Sequence, residues 1–147
     1  MTATDRRPPF RFAYRTRVGF DETDAQGIVY YGRYMPYFDR ARVEYLRHLE
    51  LLDHGRGAGV SQFVMRAQHV QYHAPAAFDD ELEVFVRVQR IGRTSITWEF
   101  DALHTGTDAH LASASQTLVR VDAQRHPVEV PDEIRERVGA FEWELGA

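Results

Sequence analysis

Between an acidic turn and the start of a helical pattern the chain reads Phe20-Asp21-Glu22-Thr23-Asp24-Ala25-Gln26-Gly27-Ile28-Val29-Tyr30-Tyr31-Gly32-Arg33-Tyr34. That juxtaposition has a chemistry. The first backbone N–H groups of a helix lack intrahelical partners and lie at the positive end of its dipole. They can hold an oxygen on which negative charge develops. A carboxylate beside them, Asp24, can act as nucleophile or general base. Gly32 lets a substrate carbonyl approach the backbone. The same residues have a local reading too. An Asp ahead of a helix is commonly a cap or turn residue, and Asp21 and Glu22 read as solvated turn residues. Tyr30, Tyr31, Tyr34, Tyr37 and Phe38 divide between core and pocket wall.

Other stretches carry weaker chemical signals. Gly55-Arg56-Gly57-Ala58-Gly59 follows a helix, not a strand, so it lacks the setting of a dinucleotide site. His69 and His73 are four apart on an extended segment, which is not the helical metal pair; no metal site is expected. No Gly-x-Ser-x-Gly occurs, so a serine-hydrolase elbow is excluded. The arginines from Arg6 to Arg17 have no nucleic-acid reader motif around them, and the net charge is -4. No nucleic-acid partner is expected.

These residues must be held by an α+β arrangement. Phe10, Phe12, Tyr14, Thr16, Val18 and Phe20 alternate with Arg11, Arg15 and Arg17, predicting a half-buried strand. Phe38, Ala41, Tyr45, Leu49 and Leu52, thickened by Leu46, recur three and four apart and predict one long helix over about 32–52. Pro36 fits only in its first turn. Strands follow over about 61–73, 82–89, 95–103 and 111–121. Turns fall at Ala74-Pro75, Ile91-Gly92-Arg93 and Thr105-Gly106-Thr107-Asp108, and a short helix starts at Pro131-Asp132-Glu133. Residues 1–9 read as a loose lead-in, and 10–147 as a single domain. One helix covers only one face of such a sheet. The other face, carrying Trp98 or its alternates, must be buried elsewhere or meet water, which points to oligomers.

Composition removes whole classes of mechanism. Across 147 residues there is no cysteine, no lysine and no asparagine, and all 18 basic residues are arginine. Thiolate nucleophiles, Cys-ligated zinc and Fe–S clusters are excluded, as are lysine Schiff bases and a Walker A lysine. No stretch approaches the roughly 20 apolar residues of a membrane span. Met1 to Pro9 lacks the apolar run of a secretory signal. A cytoplasmic protein is expected.

The loop-to-helix stretch resembles the 4-hydroxybenzoyl-CoA thioesterase family of hot-dog-fold proteins, including its Tol–Pal-associated branch. The resemblance rests on Asp24, Gly27, Ile28, Val29, Tyr30, Tyr31 and Tyr34, and on the helix Phe38-Asp39-Arg40-Ala41-Arg42-Val43-Glu44-Tyr45-Leu46. Tyr72-His73-Ala74-Pro75-Ala76-Ala77-Phe78-Asp79-Asp80-Glu81-Leu82 and Arg90-Ile91-Gly92-Arg93-Thr94-Ser95 extend it to about 12–130. It implies a hot-dog fold, a curved antiparallel sheet wrapped around one long central helix, assembled as a homodimer or homotetramer. It implies hydrolysis of an aryl or short-to-medium acyl-CoA with no cofactor beyond the coenzyme A of the substrate. Asp24 matches the family's catalytic carboxylate, and Tyr31 the position whose backbone N–H polarises the thioester carbonyl. Some relatives have His where this chain has Tyr31. Gly27, Gly32 and Tyr34 fall at the substrate. Arg93, Thr94 and Ser95 fall where relatives contact the coenzyme A nucleotide, often across a subunit boundary. A guanidinium there suits phosphate oxygens, although Arg93 reads equally as an exposed hairpin residue. The Gly55–Gly59 segment reads as a flexible loop, a lid over the acyl pocket. An acyl-carrier-protein thioesterase and a non-catalytic acyl-CoA-binding protein are the alternatives.

Overall fold

A computed structural model describes residues 2–52 and 62–144. Its strands are β1 (Thr2–Arg7), β2 (Phe10–Arg17), β3 (Phe63–Tyr72), β4 (Glu81–Ile91), β5 (Ser95–His104) and β6 (His110–Arg120). The helices are α1 (Tyr34–His48) and α2 (Asp132–Gly139), and a π-helical turn covers Ala140–Glu144. The strands form one antiparallel sheet in the order β1-β2-β4-β5-β6-β3. The Gly55–Gly59 segment lies outside the described residues.

The long helix forms where its apolar spacing demands. Tyr34, Tyr37, Phe38, Ala41, Arg42, Tyr45 and Leu46 make its buried stripe. They pack on alternate residues of the sheet, Val84, Val86 and Val88 on β4 and Ile96, Trp98 and Phe100 on β5. Trp98 meets Tyr45 edge to face, with ring centroids 5.1 Å apart. The helix stops at His48, short of Leu52. Glu50 takes a left-handed φ of 60°, the Glu50 N–H bonds to Arg47 O at 3.1 Å and the Leu51 N–H to Leu46 O at 2.8 Å. This is a Schellman end with Glu in the position usually held by Gly. Arg137 Nη1 donates to the carbonyls of Leu49 and Glu50, at 3.1 and 3.0 Å. A cation at the negative end of the helix dipole stabilises that terminus.

The outer face of the sheet corrects the reading of residues 1–9 as a loose lead-in. Residues 2–7 pair with β2 as an edge strand. Arg6 bonds to the buried Glu83 carboxylate, and Arg7 Nε donates to Asp101 Oδ2 at 2.8 Å. Phe10, Ala13, Phe85 and Leu103 form a second, small apolar cluster on that face. Trp98 itself faces α1.

The strand reading of residue 20 is corrected as well. β2 ends at Arg17, and Val18 N bonds to Asp80 O at 2.9 Å. Residues Phe20–Glu22 then form a single 3₁₀ turn. Phe20 is therefore 79% exposed, its ring set edge to face on exposed Phe78 at 5.8 Å.

Candidate active site

The Asp24 loop is a miniature hairpin. Thr23 bridges to Val29, Asp24 N donates to Ile28 O at 2.9 Å, and Gly27 N donates to Asp24 O at 3.0 Å. Gly27 has φ 76°, the conformation a three-residue hairpin loop requires after a tight turn. Asp24 Oδ1 accepts the Gln26 N–H at 2.8 Å, an Asx turn that fixes the side chain while Asp24 itself stays exposed. The loop is also stitched to the β3–β4 connection. Val29 N donates to Ala76 O at 2.8 Å and Phe78 N to Gly27 O at 3.1 Å.

The return arm of this hairpin leads into a 3₁₀ turn, Tyr31–Arg33, that continues directly into α1. Arg33 N bonds to Tyr30 O at 3.0 Å. Among the described residues neither the Tyr31 nor the Gly32 N–H has a hydrogen-bond acceptor. These are the open donors at the positive end of the helix. The Tyr31 side chain is 70% exposed, and its ring lies 4.8 Å from that of Tyr72. Tyr72 Oη in turn donates to Tyr31 O at 3.2 Å.

A cavity of about 320 Å³ opens beside these donors, walled by Ile28, Val29, Tyr31, Tyr34, Tyr72 and Pro75 among others. Tyr34 forms its buried side. Burial pushes the Tyr34 hydroxyl up to about 12; the Ala76 backbone N–H offsets part of this, and Tyr72 adds to it. The phenol stays neutral at physiological pH. A larger concavity, about 730 Å³, lies on the outer sheet face between β1 and Glu83. Three of its four charged wall residues, Arg6, Arg15 and Glu83, are already engaged through the Glu83 carboxylate, and it sits apart from the open helix donors. Among the described residues no three His, Asp or Glu side chains converge as a metal site.

The remaining expected site residues lie at the other end of β4. Arg93 projects from the β4–β5 turn, exposed, 3.5 Å from an equally exposed Glu129. Thr94 is half-buried, its carbonyl accepting the Arg120 N–H at 2.8 Å. Ser95 is buried, and a Cβ added at Gly92 would come within 3.0 Å of its Oγ. The Asp24 loop is bonded to residues 76–78, before β4 begins, whereas Arg93 follows its end. Eleven strand residues separate them, which at the usual rise is roughly 33 Å of extended chain. One chain therefore brings Asp24, Gly27, Tyr31, Gly32 and Tyr34 together and leaves Arg93, Thr94 and Ser95 apart.

Glu22, expected to be a solvated turn residue, is not one. Its Oε1 accepts the Tyr37 hydroxyl at 2.8 Å and the Gly19 N–H at 2.7 Å. The only sequence signal is the Gly19-x-x-Glu22 spacing, a capping-box pattern with Gly at the cap. Its partner Tyr37 is fifteen residues on, and no local rule pairs them.

A single curved antiparallel sheet around one long helix, with an acidic loop at the open start of that helix, defines a hot-dog domain of the thioesterase type. Residues 18–138 match the thioesterase-like superfamily, and the chain belongs to that superfamily. Over 130 residues it is 32% identical to the acyl-CoA thioesterase YbgC of Haemophilus influenzae, covering 84% of this chain and 91% of that one. Over 87 residues it is 37% identical to the acyl-CoA thioester hydrolase YbgC of Escherichia coli O6:H1. That match covers 59% of this chain and 65% of the E. coli protein, so the chain spans just under two thirds of that relative's length. Among solved structures, a thioesterase from Thermus thermophilus, complexed with coenzyme A and Zn, superposes with a TM-score of 0.73. It is 30% identical, and the match covers 87% of this chain and 93% of that one. No helix among the described residues is long and apolar enough to cross a membrane.

Proposed function

We propose that this chain hydrolyses an acyl-CoA thioester to the free acid and coenzyme A. The observation that carries the reading is the exposed Asp24 carboxylate, fixed by its own turn, on the loop that feeds the Tyr31 and Gly32 N–H groups of the 3₁₀ turn leading into α1, which have no acceptor among the described residues. In this reading the thioester carbonyl oxygen sits on the Tyr31 N–H. Asp24 then takes one of two roles. As general base it removes a proton from water as the water oxygen bonds to the carbonyl carbon. As nucleophile it bonds to that carbon itself, giving an anhydride that water then cleaves. On either route the C–S bond breaks and the electron pair leaves with the coenzyme A sulfur. A thiolate is a good leaving group, so a strong general acid is dispensable, and a preorganised donor can supply about 3–4 kcal/mol of oxyanion stabilisation. No cofactor beyond the coenzyme A of the substrate enters this scheme.

The tyrosine-walled cavity favours an aryl or short-to-medium acyl group. Arg93 and Thr94, with the turn that Ser95 braces, are read as the grip on the nucleotide phosphates. Because β4 separates them from Asp24, the grip comes from a second copy of the chain, and the working unit is a homodimer or homotetramer. A cytoplasmic location, where coenzyme A thioesters are made and used, belongs to the same reading.

Free-thiol release from matched aryl and straight-chain acyl-CoAs, alongside the same acyl groups on a carrier protein, tests it. The expected result is turnover of one acyl-CoA class well above its carrier-protein counterpart. Faster release from the carrier protein would move the substrate class, and binding of acyl-CoA with no release from any substrate would overturn the hydrolase.

A further inference from the structure

We propose that Glu22 is a positioning residue for Asp24, the carboxylate whose role is read above; the inference rests on that reading. Asp24 must be held relative to the Tyr31 N–H, and the two belong to opposite arms of the small hairpin. The return arm, Ile28 to Tyr31, is part of the entry to α1 and is stitched to Ala76 and Ala77. The outgoing arm, Gly19 to Asp24, has its own anchor. Thr23 Oγ1 and Thr23 N both donate to Phe20 O, at 2.8 and 3.3 Å, closing the 3₁₀ turn onto itself. What ties this turn to the helix is Glu22. One carboxylate oxygen, Oε1, takes the Gly19 N–H from its own turn and the Tyr37 hydroxyl from the fourth residue of α1.

Tyr37 is a rigid partner. It is fully buried, and its ring lies edge to face on Tyr34 at 5.9 Å, so the cavity wall and the clamp share one aromatic pair. Burial, then the bond to Glu22, hold its hydroxyl far above the ordinary phenol range, so it remains a donor at any working pH. Asp24 is two residues beyond Glu22 and has no bond of its own to α1 among the described residues. Without the Glu22–Tyr37 bond the outgoing arm keeps only its backbone bonds to the return arm, Asp24 N to Ile28 O and the Thr23–Val29 bridge, and loses its direct tie to α1. Reaction rates are steep in the placement of a reacting group: about 1 Å of misplacement can cost on the order of a hundredfold.

The two donors share one oxygen, and this sets the controls. Glu22→Gln keeps an oxygen that accepts both bonds, and Glu22→Ala keeps none. Tyr37→Phe removes the clamp from the helix side while leaving the turn intact. We would measure kcat and KM for these variants, each alone and combined with Asp24→Asn, with thermal unfolding to verify folding. Glu22→Ala is expected to lower kcat about ten- to a hundredfold with KM within about twofold, because only the reacting group moves. Glu22→Gln should recover most of that loss, and Tyr37→Phe should lower kcat in the same direction. In the Asp24→Asn background Glu22→Ala should have little further effect, because its action passes through Asp24. Full kcat in both Glu22→Ala and Tyr37→Phe, or losses that multiply with Asp24→Asn, would overturn the positioning role while leaving Asp24 in place. Undiminished kcat in Asp24→Asn would overturn the reading of Asp24 and this inference with it. If Glu22→Ala does not fold, Tyr37→Phe decides between the same outcomes.

Discussion

At the Glu81 end of β4 the chain hangs its polar groups on loops, and at the Ile91 end it pins them down. Near Glu81 the Asp24 hairpin and the 76–80 connection hold each other by backbone bonds, and both use left-handed residues, Gly27 at φ 76° and Asp79 at φ 69°. The exposed aromatics Phe20, Phe78, Tyr31 and Tyr72 lie around this end. Near Ile91 the C-terminal elements brace the turn. Arg135 Nη2 donates to Gly92 O and Arg93 O at 2.7 and 3.1 Å, and Val130 N donates to Arg93 O at 2.9 Å. Glu142 Oε2 accepts Val88 N at 2.9 Å and the Tyr45 hydroxyl at 2.6 Å, fastening the C-terminal turn to both β4 and α1. The contrast fits a division of labour. A reacting carboxylate has to meet water and substrate, whereas a guanidinium that only grips phosphate works best on a rigid turn.

The comparison can be broken first at the loop end. Gly27→Ala meets no steric obstacle, since an added Cβ has nothing within 4 Å. It must still hold an L residue at φ 76°, a backbone penalty of about 1–2 kcal/mol. If the loop relaxes to escape the strain, Asp24 moves, and turnover should fall about tenfold or more, with only a small drop in the melting midpoint. Rate assays and thermal unfolding on one preparation check this, and unchanged turnover would mean that the hairpin does not set the position of Asp24.

A smaller effect sharpens the braced end. Burial raises the Glu142 carboxyl above its ordinary value, and the bonds from Tyr45 and Val88 and the charges of Arg87 and Arg11 only partly offset this. With the folded value above the unfolded one, the folded state binds the extra proton. Its contribution is complete below the unfolded value of about 4.3 and is lost as pH rises through the folded one. Glu142→Gln, which cannot titrate, should flatten the part of the stability profile that falls as pH rises above the ordinary carboxylate range and leave turnover near the wild-type level. Denaturant midpoints at several pH values measure it. An unchanged slope would place the pH dependence elsewhere.

What could be read from the residues alone divides along the same line between local and distant partners. The α1 stripe, the β4, β5 and β6 alternation and the Asp24–Gly27 turn depend on neighbours within a few positions, and all are legible. The end of α1 is not, because Leu49, Leu51 and Leu52 extend the apolar pattern while Glu50 makes the left-handed exit without a glycine to announce it. Thr2–Arg7 looks like a tail because it is short and polar. Its partners Glu83 and Asp101 are far away in sequence. Phe20 continues the β2 alternation by residue type, but β2 has ended at Arg17 and Phe20 opens a 3₁₀ turn after an extended Gly19. Glu22 hides for the same reason as Thr2–Arg7, its partner Tyr37 being a helical turn inside another element. The separation of Arg93 from Asp24 is a property of strand length, which no motif encodes.

The division between the two ends of β4 is tested most directly by measuring kcat and KM for Asp24→Asn and Arg93→Ala side by side, on the best acyl-CoA substrate. Asp24→Asn should lose turnover by about a thousandfold with KM nearly unchanged, as expected when a group acts only in the transition state. Arg93→Ala should keep kcat and raise KM about tenfold, the mark of lost uniform binding to the phosphates. Near-normal kcat in Asp24→Asn, or a loss of kcat in Arg93→Ala as large as that in Asp24→Asn, would contradict the account.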